Sequence, residues 1–453
     1  MLTRCRFLSL IATVLALPSG PAHAFCGFYV GKAAASLFND ASQVVLVRDG
    51  DRTVVTMSND YKGELTDFAL VVPVPSLITK EQIHIGDRKY IQRLDGYSAP
   101  RMVEYYDPDP CAIAKEYPQA GVAGGVVGGI VGATLGRTRA SALGVTVEAS
   151  YAIGEYDILI LSAKESAGLE TWLRESGYRI PAKASAALAP YIRQDMKFFV
   201  AKVNLENQKA GGFNYLRPIQ IAYESPKFML PIRLGVANAR GPQDMVVYVL
   251  TRNGRVESTN YRTTKMPTGM DVPVFVKNEF SSFYKAAFER AHRKGHGRAL
   301  LIEYFWNMAW CDPCASEPLS IEELRQLGVF WFDERQGNGS FGGPGGLRFA
   351  GPPSVMLTRL HVRYDAEHFP EDLMFQQTGD QENFQARYVL RHAFEGPLSC
   401  PEGENYRASL ATRHQAETRT LADLTGWKDS TIRQKMGSEL PAVDSPWYKK
   451  IWR

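Results

Sequence analysis

The sequence lacks most of the patterns that announce an activity. It has no HExxH helix pair, no second CxxC to complete a four-ligand zinc set, no GxSxG nucleophile elbow, and no Lys-Ser/Thr to close a P-loop. These absences remove metalloprotease, zinc-ribbon, serine-hydrolase and nucleotide-phosphate chemistry in their common forms. A surplus of one charge is missing too. Lys+Arg number 52 and Asp+Glu 48, a formal +4, which provides no field for nucleic acid or another polyanion. Cysteine is sparse, six in 453 residues, so a hydrophobic core and not a disulfide framework must carry the fold. Beyond the first 24 residues no apolar run reaches the ~20 residues of a membrane-spanning helix. The Gly121–Gly136 stretch (GVAGGVVGGIVGATLG) contains GxxxG spacings. It is too short and too glycine-rich for a helix in bilayer or water, and reads as a loop inserted between strands.

What is present begins at the start of the chain. Arg4 and Arg6 precede the apolar run Phe7–Leu17, then come Pro18, Gly20 and Pro21, and then Ala22-His23-Ala24. That is the order of a secretory signal peptide, with cleavage expected between Ala24 and Phe25. Cleavage removes two basic residues and no acid, taking the formal charge from +4 to +2. A lipoprotein anchor at Cys26 is disfavoured by bulky Phe25 before it and by His23. The reading is an exported chain, periplasmic or secreted, soluble after cleavage and without a transmembrane segment. Its partner is not specified, though an envelope protein is the class that the location suggests.

The body of the chain alternates strand and helix signals. Gln43–Arg48 and Thr53–Met57 flank Asp49-Gly50-Asp51, a hairpin pattern. Asp67–Pro75 reads as a strand ending at its prolines. Glu155–Leu161 reads as a buried strand and Glu165–Gly177 as an amphipathic helix, followed by a helical region from Pro181 to Met196 broken at Pro190. Met245–Leu250 is expected to turn through Asn253-Gly254 into Val256–Tyr261 as a second hairpin. Val276–Lys294 is expected to be the longest helix. Ala299–Trp306 reads as a strand, and Ser320-Ile-Glu-Glu323 is a capping box opening a short helix. Val355–Arg363 and Phe384–Leu390 alternate as half-buried strands. The sum predicts an α+β fold, mainly antiparallel sheets with several packed helices. It divides into a β-rich region over 25–240, a second α+β region over 241–420 and a tail over 421–453.

Cys311-Asp-Pro-Cys314 is the sharpest motif. Two thiols two apart suit a reversible dithiol, the first attacking a disulfide and the second resolving it. The strand and Trp310-Cys311 before it resemble the approach to the thioredoxin motif, and Pro352-Pro353 could stand for that fold's proline. Against this, Ala315-Ser-Glu-Pro318 separates the motif from the next helix, which begins near Ser320. The dipole that lowers a thiolate pKa is therefore displaced. A Cys311–Cys314 disulfide pinning a loop is the simpler reading. Cys26 is expected to pair with Cys111, leaving Cys400 single, and Cys26–Cys400 is the close alternative. His292 and His296 have i, i+4 spacing at a helix end but no further ligands, so no metal and no cofactor is called for. Asp107-Pro-Asp109 reads as a turn, and Glu371-Asp372 with Asp380–Glu382 as solvated surface.

Six segments together resemble a bacterial family known as domain of unknown function 2330. They are Phe25-Cys-Gly-Phe-Tyr-Val30, Asp67–Pro75, Gly154-Glu-Tyr-Asp157, Thr171-Trp-Leu-Arg174 with Gly177-Tyr178, Trp310–Cys314 and Phe369-Pro-Glu-Asp-Leu373. The resemblance spans nearly the whole chain after the leader. It implies an exported bacterial protein and supplies no catalytic residue. The functional expectation is a non-catalytic envelope protein with disulfide-pinned loops. The alternative is a thiol–disulfide oxidoreductase using Cys311 and Cys314.

Overall fold

The computed structural model describes residues 28–31, 38–62, 68–112, 145–176, 184–204, 216–237, 241–310, 312, 317–332 and 354–437. The chain runs through β1 (Phe28–Gly31), β2 (Phe38–Asp49), β3 (Arg52–Lys62), β4 (Phe68–Val74), β5 (Ile83–Ile85), α1 (Arg88–Ser98) and β6 (Arg101–Tyr106). Then come β7 (Val145–Ile153), β8 (Tyr156–Ala163), α2 (Ser166–Glu175), α3 (Ala184–Arg193), β9 (Lys197–Val203), β10 (Ile219–Glu224), β11 (Met229–Leu230) and α4 (Arg233–Ala237). A third stretch holds β12 (Gln243–Thr251), β13 (Val256–Ser258), β14 (Arg262–Lys265), β15 (Met270–Asp271), α5 (Phe280–Lys294), β16 (Ala299–Asn307) and α6 (Ile321–Gln326). The last holds β17 (Met356–Tyr364), β18 (Leu373–Gln377), β19 (Phe384–Gln385), β20 (Arg387–His392), α7 (Pro401–Thr425) and α8 (Asp429–Met436).

The fold is α+β, with antiparallel pairing dominant. A large sheet runs β14-β16-β17-β12-β2-β3-β10-β5, and a second runs β1-β4-β9-β8-β7. Strands from both sides of residue 240 share the large sheet. The two sheets face each other across the main core, where Val44, Leu46, Val247 and Leu360 meet Leu70, Ile158 and Phe199. Period-two alternation sends Val45, Val47 and Tyr248 to the opposite face, under α1 and α6. Burial on both faces explains the unbroken apolar run Val44–Val47. Leu169, Leu173, Leu188 and Tyr191 cover the outer face of the second sheet. α5, α7 and α8 pack together around Phe283, Leu421 and Ile432.

The first hairpin forms as expected: Asp49 pairs with Arg52, and Gly50 adopts φ 56. Three expectations are corrected. Val256–Tyr261 does not fold back on β12, because both edges of β12 are taken, by β17 and β2; β13 pairs with β18 instead. α3 continues through Pro190, since Leu188 and Tyr191 are buried on either side of it and packing outweighs the lost backbone bond. β4 does end among its prolines as expected, at Val74 between Pro73 and Pro75, with Pro73 opposite Phe198 of β9. Among the described residues the longest helix is α7, 25 residues, and not Val276–Lys294, whose first turns are a 3-10 segment ahead of α5. No helix among the described residues is long and apolar enough to cross a membrane.

Candidate functional site

The densest polar chemistry lies on the helix-covered face of the large sheet. Alternation along β17 places Arg359, His361 and Arg363 on one side, away from Leu360 and Val362 in the main core. β12 puts Tyr248 opposite Arg359 and Asp244 opposite Arg363. Asp244 grips Arg363 with two bonds of 2.7 Å. Glu303 enters this row from β16 through a bulge. Ile302 opposes Leu360 and Tyr304 opposes Arg359, so Glu303 has no cross-strand partner of its own. The extra residue reverses the strand's alternation, turning Phe305 to the main core and Tyr304 to the helix side.

Glu303 is 1 % exposed. Its Oε2 accepts from Arg359 Nε at 2.6 Å. Its Oε1 contacts His361 Nδ1 at 2.7 Å and accepts from the Tyr284 hydroxyl of α5. Arg359 Nη1 donates onward to Asp95 Oδ1 at 2.7 Å, which also accepts from Tyr248 OH at 2.5 Å. The His361 ring stacks on Phe288 with centroids 3.8 Å apart, and its Nε2 lies 3.9 Å from Asp244 Oδ1. Burial alone would push the Glu303 carboxyl up, but His361, Arg359 and the bond from Tyr284 hold it at about 2. Burial likewise opposes the charge on Arg359; Tyr248, Glu303 and Asp95 outweigh it and raise its pKa. Tyr284 is pushed well up, by burial first and then by Glu303. The arrangement is a clamp joining three strands to α1 and α5, with the carboxylate permanently ionised at neutral pH.

A covalent tie joins the end of β6 to the start of α7. Cys111, just past β6, is disulfide-bonded to Cys400, 289 residues later. This corrects the expected Cys26–Cys111 pairing and the single Cys400. Cys400 is the N-cap of α7, its Sγ accepting from Gly403 N at 3.2 Å. β6 pairs with β20, whose last residues lead toward Cys400, so the two sulfurs meet where ribbon and helix join. Asp107 adds to the same junction, accepting from Tyr406 OH at 2.5 Å and from Arg413 Nη1 at 2.6 Å. Asp109 forms a turn as expected, its carboxylate accepting from Cys111 N.

A model of the family described as "Uncharacterized protein conserved in bacteria (DUF2330)" matches residues 20–376. The chain belongs to this family. No curated protein and no solved structure matches it. Within this DUF2330 chain, the segments that carried the resemblance supply buried anchors. Glu155, 2 % exposed, binds Arg217 at 2.6 and 3.0 Å. Asp372, expected to be solvated, is buried: it accepts from Tyr191 OH at 2.6 Å and from Ile232 N at 2.9 Å. Its short side chain is what closes the segment over α3 and α4. Asp380, expected at the surface, pairs with Arg255 at 2.8 Å.

Cys26, Cys311, Cys314, Ala24, Phe25 and the Gly121–Gly136 stretch lie outside the described residues. Asp312, between the two cysteines of the motif, is described and buried. It accepts from Tyr304 OH at 3.3 Å and Gln385 Nε2 at 3.4 Å. His292 contacts the Arg363 carbonyl at 3.2 Å and His296 takes a positive φ. No group of metal-ligating side chains comes together among the described residues.

Proposed function

We propose that this chain is an exported, non-catalytic protein of the bacterial envelope with disulfide-pinned loops. The observation that carries the reading is the Cys111–Cys400 bond, since such bonds persist where thiols are not kept reduced. The Met1–Ala24 pattern supplies the route. The Glu303 clamp agrees with a non-catalytic role, because both its oxygens serve as links between strands and helices. Expression with the leader intact tests this by mass and thiol trapping. A product starting at Phe25, with Cys111 and Cys400 alkylated only after reduction, is expected. An uncleaved cytoplasmic chain with both thiols free in cells would overturn it.

A second reading is thiol–disulfide exchange at Cys311 and Cys314. It draws on Asp312, whose anchoring to Tyr304 and Gln385 ties the residue between the two cysteines to the core. Reduction of a peptide disulfide by the pure protein, lost in Cys311→Ser, would favour it over the first.

A further inference from the structure

We infer that the cleft between α5, α7 and the edge strand β14 binds an organic phosphate: a phosphate monoester or phosphodiester headgroup with a compact apolar part. The cleft has a volume of about 340 Å³, within the range of small-ligand sites. Arg262 and Lys265 on β14, and Arg290 and Lys294 on α5, line it, against one carboxylate, Asp423 of α7. Helical spacing puts Ala287, Arg290, Ala291 and Lys294 on one face. The small side chains form the floor with Leu301, and the long ones carry charge to the rim.

The cations are under-compensated. Asp423 is shared, 3.2 Å from Lys294 and 3.8 Å from Arg290. Arg290 Nε is buried and has no hydrogen-bond partner. The Arg262 side chain makes no ion pair or hydrogen bond among the described residues, whereas Lys265 pairs with Glu382. Two guanidinium forks and an ammonium around an apolar floor suit a phosphate: arginine bonds its oxygens in pairs, and the floor takes the attached carbon chain. The near-neutral balance of the whole chain makes this local excess the more distinctive.

Calorimetric titration of the full mature chain with hexyl phosphate tests the site. Saturable one-to-one binding is expected. Arg262→Gln and Arg290→Gln should each weaken it about tenfold or more, the loss of one charge-assisted bond. Arg293→Gln, an exposed charge of α5 that does not line the cleft, should change it less than about twofold. Competition by inorganic phosphate would assign the ligand to free phosphates. Co-sedimentation with phosphatidylglycerol vesicles, lost in the same two variants, would assign it to a lipid headgroup; either supports the site. Absence of saturable binding, or equal weakening by all three variants, would overturn it. Arg262 lies on an exposed edge, so Arg262→Gln keeps the test available should Arg290→Gln fail to fold.

Discussion

Glu303 shows what one residue out of register can do. Placed at the bulge of β16, it meets Arg359, His361 and Tyr284 at once. Glu303→Gln should cost about 3–5 kcal/mol in urea unfolding at pH 7, because it leaves Arg359 and His361 without their carboxylate. The sign with pH follows from a folded pKa of about 2, below the ordinary value of ~4.3. The contribution is fully present above pH ~4.3 and lost as pH falls towards about 2, so the gap between wild type and Glu303→Gln should close over that interval. A gap unchanged down to pH 2 would contradict this. Gly254 is the clearest steric case: its φ is 74, and a Cβ at this position would lie only 1.8 Å from the Thr378 carbonyl oxygen. Gly254→Ala should therefore lower the thermal midpoint by several degrees. Little of the clamp is legible in the sequence. Arg359, His361 and Arg363 do alternate with apolar residues, which marks a strand with one polar face. That α1 covers this face depends on Asp95, 264 residues from Arg359, and no local pattern carries such a contact.

Elements with local signals are legible in the sequence. The Asp-Gly hairpin and the α6 capping box both stand, the latter with Ser320 and Glu323 exchanging bonds of 3.2 and 2.8 Å. Ser320→Ala should cost about 1 kcal/mol, measurable by chemical denaturation. α7 escapes such a reading for a physical reason. Its residues are polar nearly all round, and His414, Glu417 and Thr418 are among those buried, so no apolar stripe announces it. Its ends are nevertheless marked, by Pro401 in the first turn and Gly426 in the left-handed cap. α3 errs in the other direction, since Pro190 ought to break it by local rules. Pro190→Ala restores a backbone donor and should stabilise the protein by about 1–3 kcal/mol, visible as a raised unfolding midpoint; a lowered one would show that the proline ring itself is needed.

At the scale of the whole molecule, packed sheets carry the stability and the Cys111–Cys400 bond adds closure of a very long loop. Cys400→Ser should cost about 2–5 kcal/mol and make the unfolding midpoint less sensitive to added reductant than that of the wild type. The pairing is not readable from the sequence because sulfur connectivity depends on the β6–β20 ribbon, which forms only in the finished fold. The parallel β2–β12 ladder has a consequence for biosynthesis. Ser42 pairs with Met245, about 200 residues later. At ~5–20 residues per second, the ribosome makes β12 on the order of 10–40 s after β2. Throughout that interval the β2–β3 hairpin carries an open edge and the bare row Val44–Val47. The nascent chain must spend it in the care of a holding chaperone, or be drawn away from its neighbours before aggregation begins.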